Sequence, residues 1–105
     1  MKYGITFSID VYDFDQETGE TIVTRPSDYL AMQRWTDRQK GLAGDLANLY
    51  GNYALLWYAL EREDKLSRYG ASGDAPTMQS IDELAKHVSV YVEIAEKDSL
   101  PMSAR

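Results

Sequence analysis

At 105 residues, with a formal charge of −6 and no cysteine, the chain is sized for one domain and has no disulfide, thiolate nucleophile or cysteine metal site. An apolar content of 44% argues against disorder throughout, and the acidic balance repels a phosphate backbone, so no nucleic-acid partner is expected. The N-terminus lacks the apolar core of a signal peptide and no apolar run reaches membrane-spanning length, which predicts a cytoplasmic protein without a membrane partner.

Tyr3, Ile5, Phe7, Ile9 and Val11 alternate with smaller or polar residues, the period of a strand with one buried face. The parity slips at Tyr12 and Phe14, which predicts a bulge or a change of face after Val11. Residues 15–19 supply turn chemistry, with Gly19 suited to positive φ, and the β-branched run Thr21, Ile22, Val23, Thr24 reads as the returning strand. Arg25-Pro26 ends it, and Ser27 or Asp28 caps a helix reaching about Gln39, with Gly41 placed to stop it.

A long helix is expected over residues 42–66. Leu42, Leu46, Leu49, Tyr53, Leu56 and Leu60 recur four and three apart, and Ala43, Tyr50 and Trp57 form a parallel row, so its apolar face is wide and aromatic. Gly51 inside it predicts a bend or the close approach of another backbone. Glu61 with Lys65 and Asp64 with Arg68 are four-residue ion pairs of favourable order for its exposed end. Residues 69–77, rich in glycine and serine, read as a mobile loop. Ser80-Ile81-Asp82-Glu83 has the form of a capping box, opening a last helix lined by Ile81, Leu84, Val88, Tyr91 or Val92, and Ala95. The expected fold is α+β: an N-terminal β-hairpin followed by three helices (ββααα), one domain over residues 1–98 and a loose tail over 99–105.

Chemistry-bearing constellations are sparse. Asp13, Asp15, Glu17 and Gly19 resemble the start of a calcium loop, but the glycine stands one place late and the twelfth position is Thr24 rather than glutamate. Acids in a hairpin turn also discourage edge-to-edge pairing. His87 is the only histidine; with Glu83 at i, i+4 it makes two ligands, which are not a metal site. No serine sits in a nucleophile elbow and no glycine-rich loop has phosphate-binding spacing. The expectation is a non-enzyme with no catalytic, cofactor or metal residues.

The aromatics Tyr50, Tyr53, Trp57 and Tyr58 have two readings, core filling or interface, because tyrosine and tryptophan bury much area at small entropic cost. Tyr53, on the main seam, is the better core candidate and Tyr58, off it, the better interface candidate. Leu49, Tyr53, Leu56, Trp57 and Leu60 are expected to pack, and Trp35, Tyr50, Trp57 and Tyr58 are the candidate partner-binding residues.

A hairpin, then Arg25-Pro26-Ser27-Asp28-Tyr29 opening a helix, Trp35 near its end, and Tyr53-Ala54-Leu55-Leu56-Trp57-Tyr58-Ala59-Leu60-Glu61-Arg62 resemble the tail assembly chaperones of long-tailed phages. In that resemblance Asp82-Glu83-Leu84 and Tyr91-Val92-Glu93 fill a last acidic helix, and Leu100-Pro101-Met102 a short tail, so that it covers about residues 20–102. It implies a non-enzymatic protein that coats the tape-measure protein and recruits tail-tube subunits, with no cofactor and often with a longer, frameshifted form. Homo-oligomerisation is expected on separate grounds, since a hairpin and three amphipathic helices leave apolar area to cover. The competing expectations are a small acidic regulator mimicking nucleic acid, a structural tail or capsid component, and an enzyme with a deep polar pocket around His87 or convergent acids.

Overall fold

A computed structural model of the chain describes residues 6–95. In chain order these form β1 (Phe7–Asp13), β2 (Thr18–Val23), α1 (Pro26–Arg38), α2 (Gly44–Arg62), a 3-10 turn (Leu66–Tyr69), α3 (Met78–Ala85) and β3 (Val88–Ile94). The fold is α+β, as the sequence indicates, but its order is not ββααα. The three strands make one antiparallel sheet in the order β2-β1-β3, so the first strand is central and the last is an edge.

The alternation that marks β1 decides which face is dry. Ile9 and Val11 are buried, and their neighbours Ile22, Val90 and Val92 point the same way across the sheet. Tyr12 is on the opposite, solvent-facing side with Asp10, Thr21 and Tyr91. The expected bulge after Val11 is absent: pairing runs without a break from Ser8↔Val23 to Asp13↔Thr18. The parity never slips, because the next inward residue is a carboxylate, Asp13, and not the aromatic beside it. Asp13 Oδ1 accepts the backbone N–H groups of Asp15 and Gln16 at 2.9 and 3.1 Å, which closes the turn. Glu17 and not Gly19 takes the positive φ, at 55°; Gly19 lies in β2 opposite Tyr12. Tyr3 and Ile5 of the expected strand, and the expected tail 99–105, lie outside the described residues.

α1 begins with Pro26, whose fixed φ suits a first turn, and Asp28 accepts the Arg25 N–H at 2.8 Å. Met32 and Trp35 point inward to α2, while Tyr29 stacks on Phe7 with ring centroids 5.3 Å apart. α2 is the central helix: the sheet, α1, α3 and the loop of residues 70–77 all pack on it. Its second half, residues 53–60, is buried on nearly every side, with Leu55, Leu56, Trp57, Ala59 and Leu60 each exposed by 2% or less. The four-three seam is therefore only half right. Tyr53, Leu56 and Leu60 are core, but Leu46 and Leu49 are 56% and 52% exposed, because the helix extends beyond what the domain covers. Gly51 is buried within a continuous helix, against Met32 and Thr36 side chains of α1 and not against another backbone.

α2 stops at Arg62, earlier than the expected 66, and Asp64 takes a left-handed φ of 58°. The anticipated i, i+4 pairs do not form; Lys65 Nζ instead reaches Glu63 at 3.3 Å and Glu20 at 3.6 Å. The helix cap is also displaced. Thr77 is the N-cap, exchanging hydrogen bonds with Ser80, where Ser80 itself was the expected cap. α3 ends at Ala85, and the residues expected to continue it form β3. Val88, Val90, Val92 and Ile94 alternate with Ser89, Tyr91 and Glu93, and β-branched residues at period two pack better on a pleated surface than on a helix. Antiparallel pairing of β3 with β1 then covers the second edge of the central strand.

Candidate functional site

The four candidate partner-binding aromatics separate into two kinds. Trp35 and Trp57 are core residues, 2% and 1% exposed. Each indole N–H donates to a loop carbonyl, Trp35 to Pro76 at 2.7 Å and Trp57 to Gly73 at 3.2 Å. Neither ring offers a partner appreciable surface; together they fasten the 70–77 loop over α2, so that the loop expected to be mobile is pinned at two points. Tyr50 and Tyr58 are half-buried. The Tyr50 hydroxyl donates to Asp82 of α3 at 2.5 Å, and that bond raises its pKa. Tyr53, the core candidate, is buried; its hydroxyl donates to the Val88 carbonyl at 2.8 Å, and burial raises its pKa.

Apolar surface left uncovered lies elsewhere. Leu46 and Leu49, three apart on α2, are the largest uncovered aliphatic side chains of the helix, and half-buried Leu42 lies just before its first turn. On β3 the inward row runs from buried Val88 through half-buried Val90 and Val92 to Ile94, which is 61% exposed. The domain thus has a filled core at one end and unfinished apolar surface at the other. Tyr91, 62% exposed, stands on the solvent face of the sheet.

The principal concavity is an open cleft of about 620 Å³ between the β1–β2 turn, α3 and the segment of residues 68–72. Asp13, Asp15, Glu83 and His87 converge on it. His87 Nδ1 lies 2.7 Å from Asp15 Oδ2, and its Nε2 lies 3.8 Å from Glu83 Oε2. The backbone sets this up, since the Phe14 N–H donates to the His87 carbonyl at 2.8 Å and holds the turn beside the start of β3. The Glu83–His87 pairing was visible as an i, i+4 spacing; Asp15 was not, because only the β1–β3 register brings it across. Among the described residues no three histidine or carboxylate side chains are placed to hold a metal ion. Ser80, which also lines the cleft, is already committed to the Thr77 cap.

Beside the cleft, the Tyr69 hydroxyl donates to Glu20 Oε2, and Lys65 approaches the other Glu20 oxygen at 3.6 Å. Burial first, and then the Glu20 carboxylate, push the Tyr69 phenol well above the ordinary tyrosine value. These contacts tie the 3-10 turn to β2 and give the cleft a firm wall. Among the described residues no helix is long and apolar enough to cross a membrane. No known protein family, no curated protein and no solved structure matches the chain.

Proposed function

We propose that this chain is a non-enzymatic protein-binding domain whose docking surface includes the first half of α2. The observation that carries this reading is the uncovered strip of Leu46 and Leu49 on a helix whose second half is buried on nearly every side. An exposed apolar strip at helical spacing suits a partner helix laid alongside it, or a second copy of the chain. Of the cleft hydroxyls, Thr77 and Ser80 are committed to the α3 cap, which favours a binding role for the cleft over a hydrolytic one.

The specific form of this function is tail assembly: holding an apolar tape-measure helix in solution and bringing tail-tube subunits to it. It rests on the resemblance of residues 25–62 to phage tail assembly chaperones. Residues 88–94 do not contribute to that resemblance, since they are strand and not the last helix of the pattern. The aromatic contacts are correspondingly reassigned, from Trp35 and Trp57 to Leu46, Leu49 and the partly exposed Tyr58.

Co-expression of the chain with the tape-measure protein encoded in the same genome tests this. The expected result is a soluble complex, lost on Leu46→Glu together with Leu49→Glu while the variant chain keeps its own melting temperature. Capture that survives both substitutions removes α2 from the surface. A tape-measure protein equally soluble without the chain removes the tail-assembly reading.

A further inference from the structure

The two edges of the sheet are not equally closed. The bonds that flank the β1–β3 pairing run from the Phe14 N–H to the His87 carbonyl and from the Ala95 N–H to the Thr6 carbonyl, at 2.8 and 3.1 Å. Alternate residues of an antiparallel strand bond to the same neighbour, so Ser89, Tyr91 and Glu93 bond to β1. Val88, Val90, Val92 and Ile94 therefore direct their N–H and C=O groups away from β1, to the open edge. The Val88 carbonyl is taken there by the Tyr53 hydroxyl at 2.8 Å. Among the described residues nothing meets the backbone groups of Val90, Val92 and Ile94 on that side.

The outer edge of β2 is guarded. Its Val23 carbonyl accepts from Arg62 Nη2 at 3.3 Å, and Tyr69 and Lys65 close on Glu20 beside it. β3 has no such protection: no proline, glycine, lysine or bulge, and a single acid, Glu93. A second observation falls on the same side. Tyr53 reaches the outer edge at Val88, and Leu49 and Leu46 stand four and seven residues before it, on its face of α2. The exposed leucine strip thus faces the side of β3 where a further strand would lie, and gives that strand an apolar cover.

We infer that this edge pairs with a second copy of the chain, β3 antiparallel to β3 across a two-fold axis at Val92, in one six-stranded sheet. The strand is self-complementary in that register. Val90 pairs with Ile94 of the second copy and Val92 with its own counterpart, so the open backbone groups of all three residues are met. Ile94, 61% exposed, gains a valine beside it. On the solvent face each Tyr91 stands opposite a Glu93, a phenol against a carboxylate. An axis at Glu93 would set the two Glu93 carboxylates face to face, and one at Tyr91 would end on the Val88 carbonyl that Tyr53 already holds. The inference deepens the protein-binding reading and rests on it: the first partner at the leucine strip is another copy, whose own strip lies across the axis.

Sedimentation velocity of the full chain over a concentration series, with amide hydrogen exchange on the ¹⁵N-labelled chain, tests it. A dimer is expected. The Val90, Val92 and Ile94 amides should be protected in it and lose protection on dilution, while those of Ser89, Tyr91 and Glu93 stay protected throughout. Tyr91→Glu sets carboxylate against carboxylate at both symmetric positions and is expected to weaken the dimer roughly tenfold. Adding Glu93→Lys to it restores opposite charges across the axis and is expected to recover the dimer. Asp10, opposite residue 91 in β1, is common to both variants, and protected Ser89 and residue 93 amides show that each has folded. A chain that stays monomeric, a dimer whose Val90, Val92 and Ile94 amides exchange freely, or one indifferent to both changes overturns the inference. Protection of these amides that persists in the monomer, with the chain's own residues on the edge, overturns it as well. Tape-measure capture by a monomeric chain removes this interface and keeps the protein-binding reading; a dimer that captures nothing removes the tail-assembly reading and keeps the interface.

Discussion

Arg62, at the last turn of α2, closes on Asp28, at the first turn of α1, with its Nε 3.1 and 3.0 Å from the two carboxylate oxygens and its Nη2 2.9 Å from Oδ2. The same carboxylate accepts the Arg25 N–H, and Arg62 Nη2 also donates to the Val23 carbonyl at 3.3 Å. One ion pair therefore joins the end of β2, the start of α1 and the end of α2. Hydrogen bonding to Asp28 raises the Arg62 pKa, so the guanidinium stays charged throughout the accessible range.

Asp28 is 4% exposed, and its removal takes from Arg62 its closest ion-pair partner and from the Arg25 N–H its side-chain acceptor. Asp28→Ala is expected to lower stability by about 2–4 kcal/mol, the scale of breaking a buried pair from one side. Urea denaturation measures it. A loss no larger than that of a surface substitution would show the pair to be incidental.

Both indoles are buried and donate to carbonyls of the 70–77 loop. Tryptophan emission is expected to be blue-shifted and poorly quenched by acrylamide. Trp35→Phe leaves the Pro76 carbonyl without its donor and is expected to cost about 2 kcal/mol. It is also expected to raise amide exchange across residues 70–77, which a purely packing role would leave unchanged.

Gly51 invites a gain. A methyl group added there would lie 3.5 Å from Met32 Sδ and 3.6 Å from Thr36 Cγ2, ordinary contact distances in a regular helix. Gly51→Ala is therefore expected to stabilise the chain by about 0.5–1 kcal/mol through helix propensity and lower unfolded-state entropy. Gly44, with φ of +63°, is the contrast: the same change there is expected to destabilise. Paired thermal melts of the two variants check the signs.

Alkaline pH is expected to weaken the fold. Burial holds the Tyr69 and Tyr53 phenols above their ordinary pKa, so the folded chain keeps protons that the unfolded chain releases. Stability is intact below pH about 10 and falls as pH rises from there toward the folded-state values. Tyr69→Phe removes one of these phenols. Urea melts between pH about 9 and about 11 should show a shallower loss for the variant than for the parent chain.

The N-terminal hairpin was legible because Ile9 and Val11 alternate without ambiguity; α1 was legible as a helix after Pro26, although its N-cap is Arg25 and not the expected Ser27 or Asp28, which fall in the first turn. β3 was not, since Val88, Val92 and Ala95 satisfy helical spacing as well as Val88, Val90 and Val92 satisfy strand spacing. Only the vacant edge of β1 decides between them, and that is a tertiary fact. The exposure of Leu46 and Leu49 was hidden for a related reason: a seam states that a helix has an apolar face, not how much of its length the domain can cover. The cleft was least legible of all. Asp13, Trp57 and Glu83 are scattered along the sequence, and Asp13 read as the opening of an incomplete calcium loop or as a hairpin acid until the pairing of β1 with β3 placed it beside His87.

The central position of β1 has a consequence for synthesis. Residues 7–13 emerge before every other described element, but one of their two neighbours, residues 88–94, is the last described element to appear. Until then β1 has one edge of unpaired amides and carbonyls, and the contacts that finish the core join the first described strand to the last. Closing so long a loop slows folding more than it weakens the folded state. The growing chain therefore holds an open strand edge while the residues between β1 and β3 are made, the interval in which that edge is most exposed to aggregation.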